Sequence, residues 1–141
     1  MATPRQALDS VCLCIHLRRA AQRVTDFYDR MLLQAGISVS QYSLLINISR
    51  MEGCGTGELA KRVGLEKSTL VRTLQPLLNA GYVIDGSPDG SRKRQLYLSA
   101  PGREVLDRAV PLWEKAQSEL RHVLGGNCDE LLRLFGELEA L

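Results

Sequence analysis

The chain has 141 residues, a net charge of +2, 45% hydrophobic and 24% charged side chains, and only 5% aromatic residues. That length predicts one domain spanning 1–141, and the apolar share argues against a disordered or low-complexity chain. No apolar run approaches the roughly 18 residues of a membrane helix, Met1-Ala2-Thr3-Pro4-Arg5-Gln6 lacks the apolar centre of a signal peptide, and the four cysteines form no CxxC pair, so a cytoplasmic chain with reduced thiols and no membrane partner is expected.

The first segment, within 7–36, places Leu13, Leu17, Ala20, Val24, Phe27 and Met31 on one helical stripe, and Gly36 ends it. Ser38 and Gln41 have capping-box spacing and open a second helix carrying Tyr42, Leu45, Ile46 and Met51. Gly53-Cys54-Gly55 breaks that helix and leaves Cys54 in an exposed glycine loop. Thr56 is the expected N-cap of a short third helix with Leu59, Ala60 and Val63.

Gly64-Leu65-Glu66 is a tight turn. The next helix is expected from about Lys67 to Ala80, with Leu70, Leu74, Leu77 and Leu78 inward, Pro76 making its last turn irregular, and Gly81 as the stop. The period then changes to strands at Tyr82–Ile84 and Gln95–Leu98, joined by a hairpin loop with Gly86, Pro88 and Gly90. Ser99 caps a long helix to Leu124, with a kink expected at Pro111. Gly125-Gly126 breaks it and Asn127 caps a final helix. The fold class is therefore mainly α with a small β-hairpin.

Charge is unevenly spread. Residues 58–94 carry Lys61, Arg62, Lys67, Arg72, Arg92, Lys93 and Arg94 against four acidic residues, a net +3, whereas 95–141 carry a net −3. A basic middle points to a polyanionic partner. Residues 56–80 read as helix, glycine turn and helix, and with the hairpin directly after them they resemble a winged helix-turn-helix over 38–98. Since Leu70, Leu74 and Leu77 turn inward, Thr69, Arg72, Gln75 and Asn79 turn outward. Lys67, Ser68 and Thr69 lie at the helix start, where free N–H groups favour phosphate, and Thr73 lies one turn further on. Arg72 is long enough for a guanine edge or a phosphate. Arg92, Lys93 and Arg94 put three cations on the wing tip, from which an arginine can enter a minor groove.

The stretches "LRRAAQRVTDFYDRML", "GISVSQYSLL", "GELAKRVGLEKSTLVRTLQPLLNAGYV" and "DGSRKRQLYLSAPG", followed by the long helix, resemble the MarR-type transcriptional regulators over residues 13 to about 124. The resemblance implies an intertwined homodimer, built by the helices within 7–36 and 100–141, on a pseudopalindromic double-stranded DNA operator. It also implies a repressor released by a small molecule or an oxidant. The apolar first and last helices agree, because they exceed what one small winged-helix core needs. One departure concerns the wing. The family often shows Asp-x-Arg before the second strand, whereas Asp89-Gly90-Ser91-Arg92 has an extra residue, which puts the usual Asp–Arg brace in question.

Cys12 and Cys14 leave three readings open: packed thiols, an oxidation sensor, or a metal pair. On a helix, residues two apart point about 200° from each other, so joint chelation requires the helix to start after Cys14. By resemblance, Cys14 falls on the reactive cysteine of the organic-peroxide branch and Tyr28 on one of its tyrosines, while the other two tyrosine positions hold Arg18 and Val39. Arg18, one turn from Cys14, is placed to favour a thiolate. Cys54 and Cys128 are expected to be incidental. A further family mode is an aromatic carboxylate or similar small ligand between the lobes, with His16, Arg19, Arg23 and Tyr28 near that region.

No phosphate loop, HExxH or GxSxG is present, so no catalytic residues, cofactor or metal site are expected. The rival to a DNA-binding regulator is a winged-helix module that contacts another protein and binds no operator.

Overall fold

The structure, a computed structural model, describes residues 11–141; positions 1–10, including the Met1–Gln6 stretch and the start of the 7–36 segment, lie outside the described residues. Helix α1 (Leu13–Leu32) runs into a 3-10 turn, Leu33–Ala35, that ends on Gly36 at φ +76°. The left-handed conformation is one that glycine adopts without a Cβ penalty. Helix α2 (Val39–Arg50) follows with the expected capping box. Gln41 N–H donates to Ser38 Oγ at 3.1 Å, and Ser38 N–H donates to Gln41 Oε1 at 3.0 Å.

Helix α3 (Thr56–Val63) begins one residue before the sequence predicts. Gly55, not Thr56, is the N-cap, because the Glu58 carboxylate reaches back to accept its N–H at 3.4 Å. Gly64 makes the left-handed turn into helix α4 (Lys67–Asn79). Pro76 has no N–H to give, yet α4 stays helical past it. The helix closes through Gly81 N–H to Leu78 O and Tyr82 N–H to Leu77 O, at 3.1 and 3.0 Å. This paired closure, with Gly81 at φ +77°, satisfies the carbonyls at the helix end.

Strands β1 (Val83–Asp85) and β2 (Leu96–Leu98) pair antiparallel, with Val83 opposite Leu98 and Asp85 opposite Leu96. Each begins one residue later than the hydrophobic pattern suggests. An isolated bridge pairs Cys54 with Leu96 outside that ladder, and Cys54 is buried rather than left in an exposed loop. The thiol is held above its usual pKa by burial and then by the nearby Glu58.

Helix α5 (Ala100–Leu124) is capped as expected, with Gly102 N–H donating to Ser99 Oγ at 3.0 Å, and it continues through Pro111. Helix α6 (Cys128–Glu139) follows a 3-10 turn at Gly125–Asn127. Asn127 stands at the N-cap position of α6 as expected, but its side chain makes no capping bond there. Its Nδ2 donates instead to Leu124 O at 3.0 Å, closing the end of α5, because the 3-10 turn brings that carbonyl within reach.

The core joins α2, α3, α4, the hairpin and the first half of α5. Leu32, Leu45, Ile48, Leu59, Leu70, Leu74 and Leu96 have no exposed surface, and each contributes roughly 1.5–3 kcal/mol by leaving water. Tyr42 stacks on Trp113 with ring centroids 5.5 Å apart, joining α2 to α5. On α1 only Tyr28 and Leu32 are buried, and on α6 nothing is. Leu13, Leu17 and Val24 from the predicted apolar stripe are exposed, as are Leu132, Leu134, Phe135 and Leu138. Among the described residues, no single helix is long and apolar enough to cross a membrane.

Candidate nucleic-acid interface

The inward Leu70, Leu74 and Leu77 fix the rotation of α4, and the opposite face carries the residues that the sequence singles out. Lys67, Ser68, Arg72 and Gln75 are exposed, as is Asn79, and Thr69 is half-buried. Arg72 Nη2 lies 3.4 Å from Thr69 Oγ1, a long bond that leaves the guanidinium available to a partner. Gln75 Nε2 donates to Asn79 Oδ1 at 2.9 Å, which pre-orients both amides along the face. Thr73 contributes less than its position suggests, since its hydroxyl donates back to Thr69 O at 3.0 Å and it is half-buried.

The hairpin brings its cations to the start of α4. Arg92, Lys93 and Arg94 join Lys67 and the start of α3, Gly55 to Glu58, around one recess of about 230 Å³. The first turn of α3 carries backbone N–H groups without intrahelical partners, and Gly55 to Glu58 line that recess. In the sequence, Gly55 stands out only as part of the Gly53-Cys54-Gly55 break and Thr56 only as a cap. The missing side chains of Gly55 and Gly57 are the signal of a place where backbone itself is open to a ligand. Glu58 is the one acidic side chain on the recess, and its carboxylate is partly engaged by Gly55 N–H.

The wing loop is shaped from its neck. Asp85 Oδ1 accepts Ser87 N–H at 2.9 Å and Gln95 N–H at 3.1 Å. Hydrogen bonds from the Ser87 side chain, then from the Ser87 and Gln95 backbones, hold the carboxyl below the usual carboxylate range, and Arg94 adds a smaller effect in the same direction. At the tip, Ser91 N–H donates to Pro88 O and Ser91 Oγ to Lys93 O, both at 3.0 Å. Among the described residues, Asp89 makes no ion pair with Arg92. The family's usual brace is therefore not formed by that pair.

Cys12 is the N-cap of α1 and Cys14 lies in its first turn, both exposed. The helix thus starts before Cys14, which removes the geometry for joint chelation, and no cluster of three metal-ligating side chains is present among the described residues. Among the described residues, neither thiol is buried. Tyr28 lies 14 residues along the same helix, about 21 Å away along the axis, and its hydroxyl is hydrogen-bonded to Gln117. Burial raises the Tyr28 pKa, against a lowering by Arg121. A contact between Cys14 and Tyr28 within one chain is excluded by that distance. Of the four residues near the expected ligand region, Arg23 lines an apolar recess of about 190 Å³ between α1 and α5 with Val24, Phe27, Leu120 and Val123, while His16 and Arg19 are exposed outside it.

The sequence model of the MarR family matches residues 35–94. No curated protein sequence matches the chain. Among solved structures, the transcriptional regulator MosR of M. tuberculosis in complex with DNA is 34% identical, with a TM-score of 0.81 over 91% of this chain and 93% of that one. The transcriptional repressor CouR bound to a 23-mer DNA duplex is 25% identical, with a TM-score of 0.80 over 99% of this chain and 98% of that one. CouR bound to p-coumaroyl-CoA is equally identical, with a TM-score of 0.81 over 91% of each chain. These relatives are regulators rather than enzymes. With this fold, this order of elements and this degree of identity, the chain belongs to the MarR family of winged-helix transcriptional regulators.

Proposed function

We propose that the protein is a homodimeric repressor that binds a pseudopalindromic double-stranded DNA operator and is released by oxidation at Cys14, with Cys12 as its neighbour, or by a small aromatic ligand. The observation that carries the DNA half of this reading is the convergence of Arg92, Lys93 and Arg94 on Lys67, the residue directly before the exposed Ser68, Arg72 and Gln75 of α4. In it, α4 enters a major groove and the wing cations meet the backbone or the adjacent minor groove. The half-sites then lie about one turn, roughly 34 Å, apart. The DNA-bound MosR and CouR structures support it.

Dimerisation is supported by the apolar residues of α1 and α6 that the chain leaves open, with Leu13 74% and Leu132 61% exposed. An aqueous surface with two such faces gains by covering them with a second copy. Oxidative release is supported by the two exposed thiols at the α1 start, and ligand release by CouR bound to p-coumaroyl-CoA.

The test is a titration against the intergenic DNA upstream of the protein's own gene, run at several salt concentrations. Each series is repeated reduced, after a stoichiometric organic peroxide, and after re-reduction. The expected result is binding that falls with salt at a slope of roughly −0.9 per neutralised phosphate, and that is lost on oxidation and restored by reductant. Oxidation-insensitive binding would transfer release to a ligand in the cleft. A folded dimer that binds no genomic fragment would leave the protein-contact module as the reading.

A further inference from the structure

We propose that Asp85 is the residue that positions the wing for DNA, in place of the Asp–Arg pair that the loop's extra residue separates. The inference rests on the reading that the wing cations touch the operator.

The loop leaves β1 at Asp85 and returns to β2 at Leu96. A single oxygen, Asp85 Oδ1, accepts an N–H from each arm at the neck, Ser87 on the outgoing side and Gln95 on the returning side. Gly86 N–H donates across the same neck to Gln95 O at 2.7 Å. Gln95 follows immediately on Arg92-Lys93-Arg94, so the bond to its N–H fixes the point from which the three cations project. The Tyr97 ring closes the neck from the side. A Cβ on Gly86 would come within 2.9 Å of its Cε2, and one on Gly53 within 3.1 Å of its Oη. The neck is thus closed by the Asp85 bonds together with the Gly86–Gln95 bond and the Tyr97 ring, whereas the tip, among the described residues, has the Ser91 bonds.

Charge makes the role testable by its sign. A carboxylate beside a phosphate backbone repels it. If Asp85 were only a surface charge, removing it by Asp85→Ala or Asp85→Asn would tighten DNA binding equally. A positioning residue behaves differently, because asparagine keeps an acceptor oxygen at the same reach and alanine does not.

The experiment measures affinity and salt slope for Asp85→Ala, Asp85→Asn, Arg92→Ala/Arg94→Ala and the combination of Asp85→Ala with both arginine changes. Expected are a weakening of about tenfold for Asp85→Ala, recovery to within about twofold for Asp85→Asn, and no further loss when Asp85→Ala is added to the arginine variant. Equal tightening by both Asp85 variants, or a loss that adds fully to the arginine loss, overturns the proposal. If the arginine variant binds as the parent does, the wing reading fails and Asp85 falls with it. If the arginine variant is weak and Asp85→Ala is not, Asp85 alone is wrong. A melting curve for each variant separates a misfolded Asp85→Ala from a mispositioned wing, and Asp85→Asn retains the sign test in either event.

Discussion

The α-carbon of Gly102 faces the Tyr82 carbonyl so closely that a Cβ there would lie 2.0 Å from Tyr82 O. Tyr82 O also accepts Ser99 N–H at 3.0 Å, and Ser99 Oγ donates to Gly81 O beside it. Glycine at 102 is thus what lets the first turn of α5 sit on the link between α4 and β1. Gly102→Ala should destabilise the protein by about 3 kcal/mol, since the clash is with backbone and no side chain can rotate away. A denaturant titration reads this directly, and an unchanged midpoint would show that α5 can shift without cost.

Arg72 is the cation on α4 best placed to read a base. Arg72→Ala should weaken specific binding by about 1–3 kcal/mol and leave the affinity for unrelated DNA nearly unchanged. A competition titration with specific and scrambled duplexes distinguishes this from a phosphate contact, for which both affinities fall together. Equal affinity for the parent and variant would remove Arg72 from the interface.

Leu132 stands 61% exposed on a helix with no buried residue. Leu132→Glu should leave the winged-helix core folded while weakening self-association by at least about tenfold, because a carboxylate there must be desolvated to be covered. Sedimentation across a dilution series checks it. A variant that stays dimeric at every concentration would place the interface elsewhere.

Burial raises the hydroxyl pKa of Tyr42, opposed by Arg50 and assisted by Glu114, and raises that of Tyr28 as well. A folded pKa above the unfolded one means the folded chain keeps protons that the unfolded chain gives up. The associated stability is fully present below about pH 10 and is lost as pH rises through the folded values. Melting temperatures should therefore fall more steeply above pH 10 than below it, and Tyr42→Phe should flatten that fall. An identical slope in the variant would assign the loss to other groups.

Much of the fold was legible because local chemistry and packing agree. The spacing of Leu70, Leu74 and Leu77 rotates α4 as it is found, and Ser38, Gly64, Gly81 and Ser99 mark ends that they do mark. The misplacements have tertiary or competing causes. Thr56 has the right side chain for a cap, but Glu58 served Gly55 instead. Asn127 met the carbonyl of Leu124 before any N–H of α6. Cys54 is buried and bridged to Leu96, 42 positions away, which no local pattern encodes. The candidate interface was readable in its α4 and wing residues, since periodicity tells which side faces out. Its recess was not, because bringing Lys67 beside Arg92–Arg94 depends on how the hairpin folds back, and Asp85 reads in sequence as an ordinary loop residue.

The joint at Gly81, Tyr82 and Ser99 has a mechanical meaning. Helix α5 has 25 residues and is about 37 Å long, and only its first turn is fastened to the end of α4. Its middle is packed too, on α2 through the Tyr42–Trp113 stack and on α1 through the Tyr28–Gln117 bond, so it is a braced spar rather than a free lever. The Gly81–Tyr82–Ser99 joint therefore ties the end of α4 to a spar that is itself held by α1 and α2. The placement of the helix that carries the basic surface is thus set in part by packing well outside that surface.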